Sequence, residues 1–233
     1  MQPDHDRSFS LTRKWFLAGT AALVASPGVI SKASAANATP PMSADAALAK
    51  LKAGNVTFVK EMAGTRLQTI EERAALGQGQ TPYAAILSCA DSRTTPEIIF
   101  SEGLGDLFVV RVAGNVASAT ERASLEYAAA VLKTPLIVVM GHSSCGAVKA
   151  AIDLTKGQTF PGDIQELARL IEPAAKETKD QAGDWLKNAT LENIKLCIGN
   201  LRASAVLDGL VTSGALKLVG AYYEVNTGVV TFS

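Results

Sequence analysis

Two short strings carry the residue types that do chemistry, Cys89-Ala-Asp91-Ser-Arg93 and His142-Ser-Ser-Cys145. Together they offer two thiols and one imidazole, the donor set that zinc favours, with a carboxylate close by. Three protein ligands leave a fourth position open, which is the pattern of a catalytic zinc. A closed structural site would need a fourth Cys or His near these strings, and none is there. His142 and Cys145 lie three apart at what reads as the start of a helix, whose positive end favours a thiolate at Cys145. Ser143 or Ser144 is the expected cap, and Gly146 lets a backbone come close. An H-x-x-C pair alone is as readily a chance pattern as a site. Adding Cys89 from a different strand makes the set of three.

Cys89, Asp91 and Arg93 alternate along the chain. In an extended loop such residues share a face. Arg93 offers Asp91 a two-pronged fork that would hold it ionised, as an acceptor able to orient a water or hydroxide on the metal. The plainer alternative is a loop salt bridge worth little.

Residue counts narrow the chemistry. The chain has two histidines, His5 and His142, and His5 falls in a segment that reads as an export signal. A mature protein would then hold one histidine, leaving no second imidazole as ligand, general base or proton shuttle. The three cysteines are Cys89, Cys145 and Cys197, an odd number that cannot close a disulfide framework in an exported protein. No C-x-x-C pair is present, which argues against thiol redox chemistry. Cys197 sits in Ile194-Lys-Leu-Cys197-Ile198-Gly-Asn-Leu201, where helical apolar spacing reads it as a small buried hydrophobe. Of the 233 residues 48% are hydrophobic and 19% charged, with zero net charge, which is ample for one core. No basic run follows the N-terminus, so neither nucleic acid nor a charged membrane surface is indicated as a partner.

The first 35 residues read as an export signal: a basic opening, Thr12-Arg13-Lys14-Trp15-Phe16-Leu17, an apolar stretch, and the A-x-A pattern Ala33-Ser34-Ala35. The opening is similar to a twin-arginine signal with Lys14 in the second arginine position. The alternative is an uncleaved anchor, but Pro27 and Gly28 interrupt an apolar run already too short to span a bilayer well. The expected location is a bacterial periplasm. Loading of the metal before export would protect the thiols from an oxidising compartment. Residues 36–42 read as a linker and 43–233 as one domain.

The elements that must position the two strings follow from apolar periodicity. A helix capped by Ser43 is expected to bury Ala47, Leu48, Leu51, Val56 and Phe58 and to end at Gly64, with a short helix near Ile70 to Leu76. Strands are expected at 83–88, 107–112 and 136–140. Between them lie a helix starting at Thr95-Pro96-Glu97, a helix over 121–132, and a helix from Ser144 onward. Helices are expected over 163–178 and 184–210, then edge strands at 217–223 and 229–232. Continuous apolar strands alternating with helices predict an α/β fold, a mostly parallel central sheet flanked by helices on both faces.

With these residues in place, the chain resembles the β-class carbonic anhydrases. Cys89-x-Asp91-x-Arg93 and His142-x-x-Cys145 carry the resemblance, which extends through Gly103-Leu-Gly-Asp-Leu-Phe-Val-Val-Arg-Val-Ala-Gly-Asn115, Glu126-Tyr127-Ala128 and Gly141-His-Ser-Ser-Cys-Gly-Ala147. It covers most of residues 43–225. The resemblance implies one Zn²⁺ per chain on Cys89, His142 and Cys145, and reversible hydration of CO₂ to bicarbonate by a zinc-bound hydroxide. It implies Asp91 and Arg93 as catalytic partners, with Asp91 joining the metal only in a closed state. Gln80, nine residues before Cys89, matches a glutamine that hydrogen-bonds bicarbonate in the plant-like subgroup. Phe108 and Tyr127 match residues lining the CO₂ pocket across a dimer interface, with Gly146 also expected at the substrate. A homodimer or homotetramer is implied. The subgroup with an inhibitory bicarbonate pocket carries Trp three residues before the first cysteine; here that residue is Ile86, although Arg111 matches that subgroup's arginine. The non-regulated, open-site subgroup is therefore expected. The rival readings are a carbon disulfide or carbonyl sulfide hydrolase on the same site, or a non-catalytic zinc-binding protein.

Overall fold

Five strands, β1 (Ala84–Ser88), β2 (Leu107–Arg111), β3 (Leu136–His142), β4 (Lys217–Tyr223) and β5 (Val230–Phe232), form one sheet in the order β2-β1-β3-β4-β5. The first four run parallel, and β5 returns antiparallel to β4. The structure is a computed structural model and describes residues 42–61 and 69–233. The predicted export signal and residues 36–41 of the linker lie outside the described residues, as does Gly64. No described helix is long and apolar enough to cross a membrane.

The parallel pairing follows from composition. Every residue of β1 (Ala-Ala-Ile-Leu-Ser) and of β3 (Leu-Ile-Val-Val-Met-Gly-His) is buried. Only a sheet covered on both faces tolerates such continuous runs. Alternate side chains then feed two cores. On one face Ala84, Ile86, Leu136, Val138 and Met140 pack with Ala47 and Leu51 of α1 (Ala44–Val59) and with Ile99 and Phe100 at the end of α3 (Pro96–Ile99). On the other face Ala85, Leu87, Ile137 and Val139 meet Leu125 of α4 (Ala119–Glu126), which follows α3. Ile194, Cys197 and Leu201 of α7 (Trp185–Arg202) and Leu207 of α8 (Ala205–Thr212) complete that core. Each fully buried Ile or Leu contributes about 1.5–3 kcal/mol. A third cluster, at the C-terminal end of the sheet, joins α5 (Gly146–Thr155) and α6 (Ile164–Glu177) to Cys89 and Cys145.

The short helix α2 (Ile70–Leu76) matches its expected span and carries a capping box between Thr69 and Glu72. Several boundaries differ from the sequence reading for local reasons. Ser43 caps α1 as expected, accepting the Ala46 N–H at 3.2 Å. The buried stripe of α1 is Ala47, Leu51 and Asn55, whereas Val56, expected inside, is 52% exposed. Asn55 belongs to the core because all its bonds are made: Nδ2 donates to Ile99 O and Gly228 O, and Oδ1 accepts from Val230 N. The helix expected over 121–132 becomes α4 followed by a π-helical stretch, Tyr127–Val131, a distortion that often marks functional positions. The helix expected over 184–210 breaks at Ala203 and Ser204, because the Ser204 hydroxyl caps α8 and donates to Glu126 Oε1 at 2.6 Å.

Candidate metal centre

Neighbouring parallel strands deliver their C-terminal ends to the same edge. β1 and β3 pair with Ser88 opposite Met140, so Cys89 and His142 leave the sheet side by side. A tight turn then brings Cys145 back. The one donor atom from each of these residues lies within 4.8 Å of the other two, and Cys89 Sγ and Cys145 Sγ are 4.0 Å apart. Two sulfurs about 2.3 Å from one tetrahedral ion would be about 3.8 Å apart. His142 Nδ1 lies 2.9 Å from Ser143 O, which can only accept, so the proton belongs on Nδ1. Nε2 is left with a bare lone pair, buried and without a hydrogen-bond partner. An orphaned buried acceptor is costly; a metal ion would satisfy it. The donor set, its spacing and this orphan fit zinc.

Among the described residues the unpartnered buried side-chain atoms are Ser88 Oγ, Asn115 Nδ2 and Oδ1, and His142 Nε2. Ser88 and His142 end β1 and β3, and Asn115 lies in the turn that follows β2. Unmet polar capacity is thus gathered at one end of the sheet, where open α/β sheets place their sites.

The local field supports negative sulfur. The Cys145 thiol, and after it the N–H groups of Asp91 and Gly114, hold the Cys89 thiol below its ordinary range. Gly114 N approaches Cys89 Sγ to 3.2 Å. Gly114 has φ 69°, and a Cβ there would lie 2.4 Å from Ile171 Cδ1, so glycine lets this loop close on the sulfur without strain. Cys145 is pushed up by sharing that charge with Cys89 and by burial. The helix start is expected to favour a thiolate at Cys145, and the neighbouring sulfur acts against it. The N–H groups of Val148 and Ala147 act in the expected direction, but the neighbouring sulfur outweighs them. A divalent ion held between the two sulfurs would favour both as thiolates.

Asp91 and Arg93 form a close pair. Arg93 N and Nε donate to Asp91 Oδ1 at 3.0 and 2.8 Å, and Nη2 donates to Oδ2 at 2.7 Å. Arg93 holds the Asp91 carboxyl far below the usual carboxylate range. The segment is not extended, as the alternation reading required: Thr94 N donates to Asp91 O at 3.0 Å and closes a turn. Arg93 Nη2 also donates to Ser144 O at 3.3 Å, linking the two strings. Ser144 holds φ 57°, a left-handed backbone unusual for a side-chain-bearing residue. Neither serine caps α5 as expected. Cys145 occupies the cap position, and Ser143 Oγ accepts Val225 N at 2.9 Å.

The expected substrate residues are not gathered at the metal within one chain. Gln80 is exposed on the loop before β1, at the opposite end of that strand from Cys89. Phe108 pairs in register with Ala85, four residues before Cys89 and about 13 Å along the strand. Its ring lies 6.3 Å from that of Tyr127, which is 47% exposed. Gly146 is beside the site, but a Cβ there would meet nothing within 4 Å, so it mediates no close approach. It rims an open pocket of about 270 Å³ lined by Ala113, Ala147, Ala150, Ile164 and Leu167. The close approach belongs instead to Gly141, where a Cβ would lie 2.9 Å from Thr190 Cγ2, seating α7 against β3 next to His142. Sequence reasoning missed Thr94, Gly114 and the structural use of Arg111. The glycine after an apolar strand was their one visible signal. Cys197 is buried, donates to Asn115 O at 3.3 Å, and is pushed up to about 12 by burial.

Comparison with known proteins agrees with this geometry. The family model described as carbonic anhydrase matches residues 84–230. Carbonic anhydrase 2 of Mycobacterium tuberculosis is 38% identical over 188 residues, covering 78% of this chain and 89% of that protein. A carbonic anhydrase of Mycolicibacterium smegmatis is also 38% identical, covering 78% and 90%. Among solved structures, the β-carbonic anhydrase CcaA superposes with a TM-score of 0.65 at 28% identity, covering 79% of this chain and 86% of that one. With its sheet order, its two-sulfur, one-imidazole centre and these relatives, the chain belongs to the β-carbonic anhydrase family.

Proposed function

We propose that this chain hydrates CO₂ reversibly to bicarbonate and a proton at a zinc held by Cys89, His142 and Cys145. The observation that carries the reading is the convergence of those three donor atoms within 4.8 Å beside the Asp91–Arg93 pair. Bound there, zinc supplies the Lewis acidity that makes a hydroxide nucleophile available near neutral pH.

The chain's own groups do the rest. Asp91, kept ionised by Arg93, offers only acceptor oxygens, which orient a donor O–H and leave an oxygen lone pair towards carbon. His142 Nδ1 keeps its proton on Ser143 O, so the ring offers a fixed Nε2 and takes no part in proton release. The other histidine of the chain is His5, so release falls to buffer, water chains or a carboxylate. The resting position of Asp91 against Arg93, and Ile86 in place of tryptophan, support the open-site, plant-like subgroup.

A second copy of the chain completes the pocket. This rests on three expected substrate residues lying away from their own metal and on the half-exposed aromatic pair. A solved relative from Sordaria macrospora, 23% identical, is described as tetrameric. Export to the periplasm rests on residues 12–35 and is tested by N-terminal sequencing of protein recovered from the periplasmic fraction; recovery of intact chain from the cytoplasm refutes it.

The test of the function is stopped-flow CO₂ hydration across pH on protein of measured zinc content. Turnover that tracks zinc supports the reading. Zinc-loaded protein that hydrolyses carbon disulfide or carbonyl sulfide but not CO₂ replaces the substrate. Zinc without turnover of any of them makes the chain a binding protein.

A further inference from the structure

Arg111 ends β2, the edge strand, directly opposite Ser88 in the parallel register. Its backbone neighbours extend the ladder past the strands: Val112 N donates to Ser88 O, and Ala90 N to Val112 O. The side chain leans over the turn that carries the first metal ligand. Nε donates to Cys89 O at 3.0 Å and Nη2 donates to Asp91 O at 2.6 Å. One planar fork thus grips two carbonyls of one three-residue segment, the segment that supplies both a sulfur ligand and the carboxylate.

Thr94 Oγ1 approaches the same two oxygens, at 3.0 and 2.9 Å. A hydroxyl has one proton and serves one carbonyl at a time. Arg111 serves both at once, with charged donors, which make the stronger bonds. Arg111 is itself solvent-exposed, so its removal empties no core.

We propose that Arg111 is a positioning residue of the metal centre. Its two-carbonyl grip fixes the Cys89 sulfur and the Asp91 carboxylate relative to one another, and Thr94 assists. The inference rests on the zinc reading of the site. Groups behind metal ligands typically change affinity or activity ~10–100-fold when lost. Lys keeps the charge of Arg111 but is a point donor that cannot span two carbonyls in one plane.

The experiment compares wild type with Arg111→Lys, Arg111→Gln and Thr94→Val, and with Arg169→Gln as a control on an exposed face of α6. Zinc per chain is measured first; then zinc transfer to a chelator, the visible spectrum of the Co²⁺-substituted protein, and kcat and KM separately. Both Arg111 variants are expected to bind zinc, to release it ~10-fold faster and to show an altered Co²⁺ spectrum. Their kcat should fall with KM little changed. Thr94→Val should move in the same direction by less, and Arg169→Gln not at all. Wild-type release and spectrum in Arg111→Lys would overturn the grip, and that arm decides alone if Arg111→Gln does not fold. A wild type that takes up no zinc removes the zinc reading as well, and shows this before any variant is compared.

Discussion

The two ends of β1 teach different things. At its C-terminal end, Cys89, His142, Cys145, Asp91 and Arg93 form a finished constellation inside one chain. The ligands are at most 4% exposed, and the carboxylate already has its arginine. Towards its N-terminal end, Gln80, Phe108 and Tyr127 lie open to solvent or half-buried, away from the metal donors of their own chain. The three metal donors are therefore complete within one folded chain, whereas the residues proposed for the substrate are not gathered beside them.

The most damaging change to the finished end is Cys89→Ser. It removes a thiolate that two backbone N–H groups and Cys145 hold in place. Zinc content should drop well below one per chain, and CO₂ hydration should fall by more than the ~100-fold typical of outer groups. Metal analysis together with stopped-flow assay checks this; full zinc in the variant would break the ligand set.

Next comes Asp91→Asn, which should keep zinc and lose roughly 100-fold in kcat, because an amide offers an acceptor and a donor where two acceptors are needed. The same variant has a stability signature. Arg93 depresses the folded-state pKa of Asp91. The stabilising contribution is therefore fully present above the unfolded value of about 3.9 and is lost as pH falls below it, towards the folded value. Thermal unfolding should separate wild type from Asp91→Asn at neutral pH and bring them together in acid. A constant gap would mean that the pair is not ionic.

At the open end, Tyr127→Asp should leave zinc content intact, shift sedimentation towards a monomer, and lower activity about tenfold by removing an aromatic contact and setting a charge on an apolar face. A monomeric variant with full activity would show the site complete in one chain, and the contrast between the two ends would fail. The smallest effect is expected from Cys197→Ala, which loses one thiol–carbonyl contact worth about 1 kcal/mol. The melting temperature should fall slightly and zinc stoichiometry should stay the same; loss of metal would give this cysteine a role it lacks here.

Much of this was legible without coordinates, because the information is local. Parallel strands announce themselves through unbroken apolar runs such as Leu136 to Met140. Donor residues placed just after such runs land at one edge of a parallel sheet. Zinc chemistry then needs only residue type and approximate place. The identity of Cys89, His142, Cys145, Asp91 and Arg93, and the α/β class, follow from that short-range pattern. Three-dimensional contact was needed for what depends on partners far along the chain. Position at a helix start made Cys145 an expected thiolate, but only the fold shows that the sulfur of Cys89, 56 residues away, lies 4.0 Å from it and shares its charge. The Cys89–Arg93 segment alternates like a strand, yet Thr94 folds it into a turn and Arg111 grips it from β2. Asn55 is tolerated in the core only because Ile99, Gly228 and Val230 supply its bonds. Apolar periodicity encodes which side of an element is inside; it carries no record of which distant donor meets which acceptor, and that pairing sets the surroundings of the sulfurs and the shape of the turn.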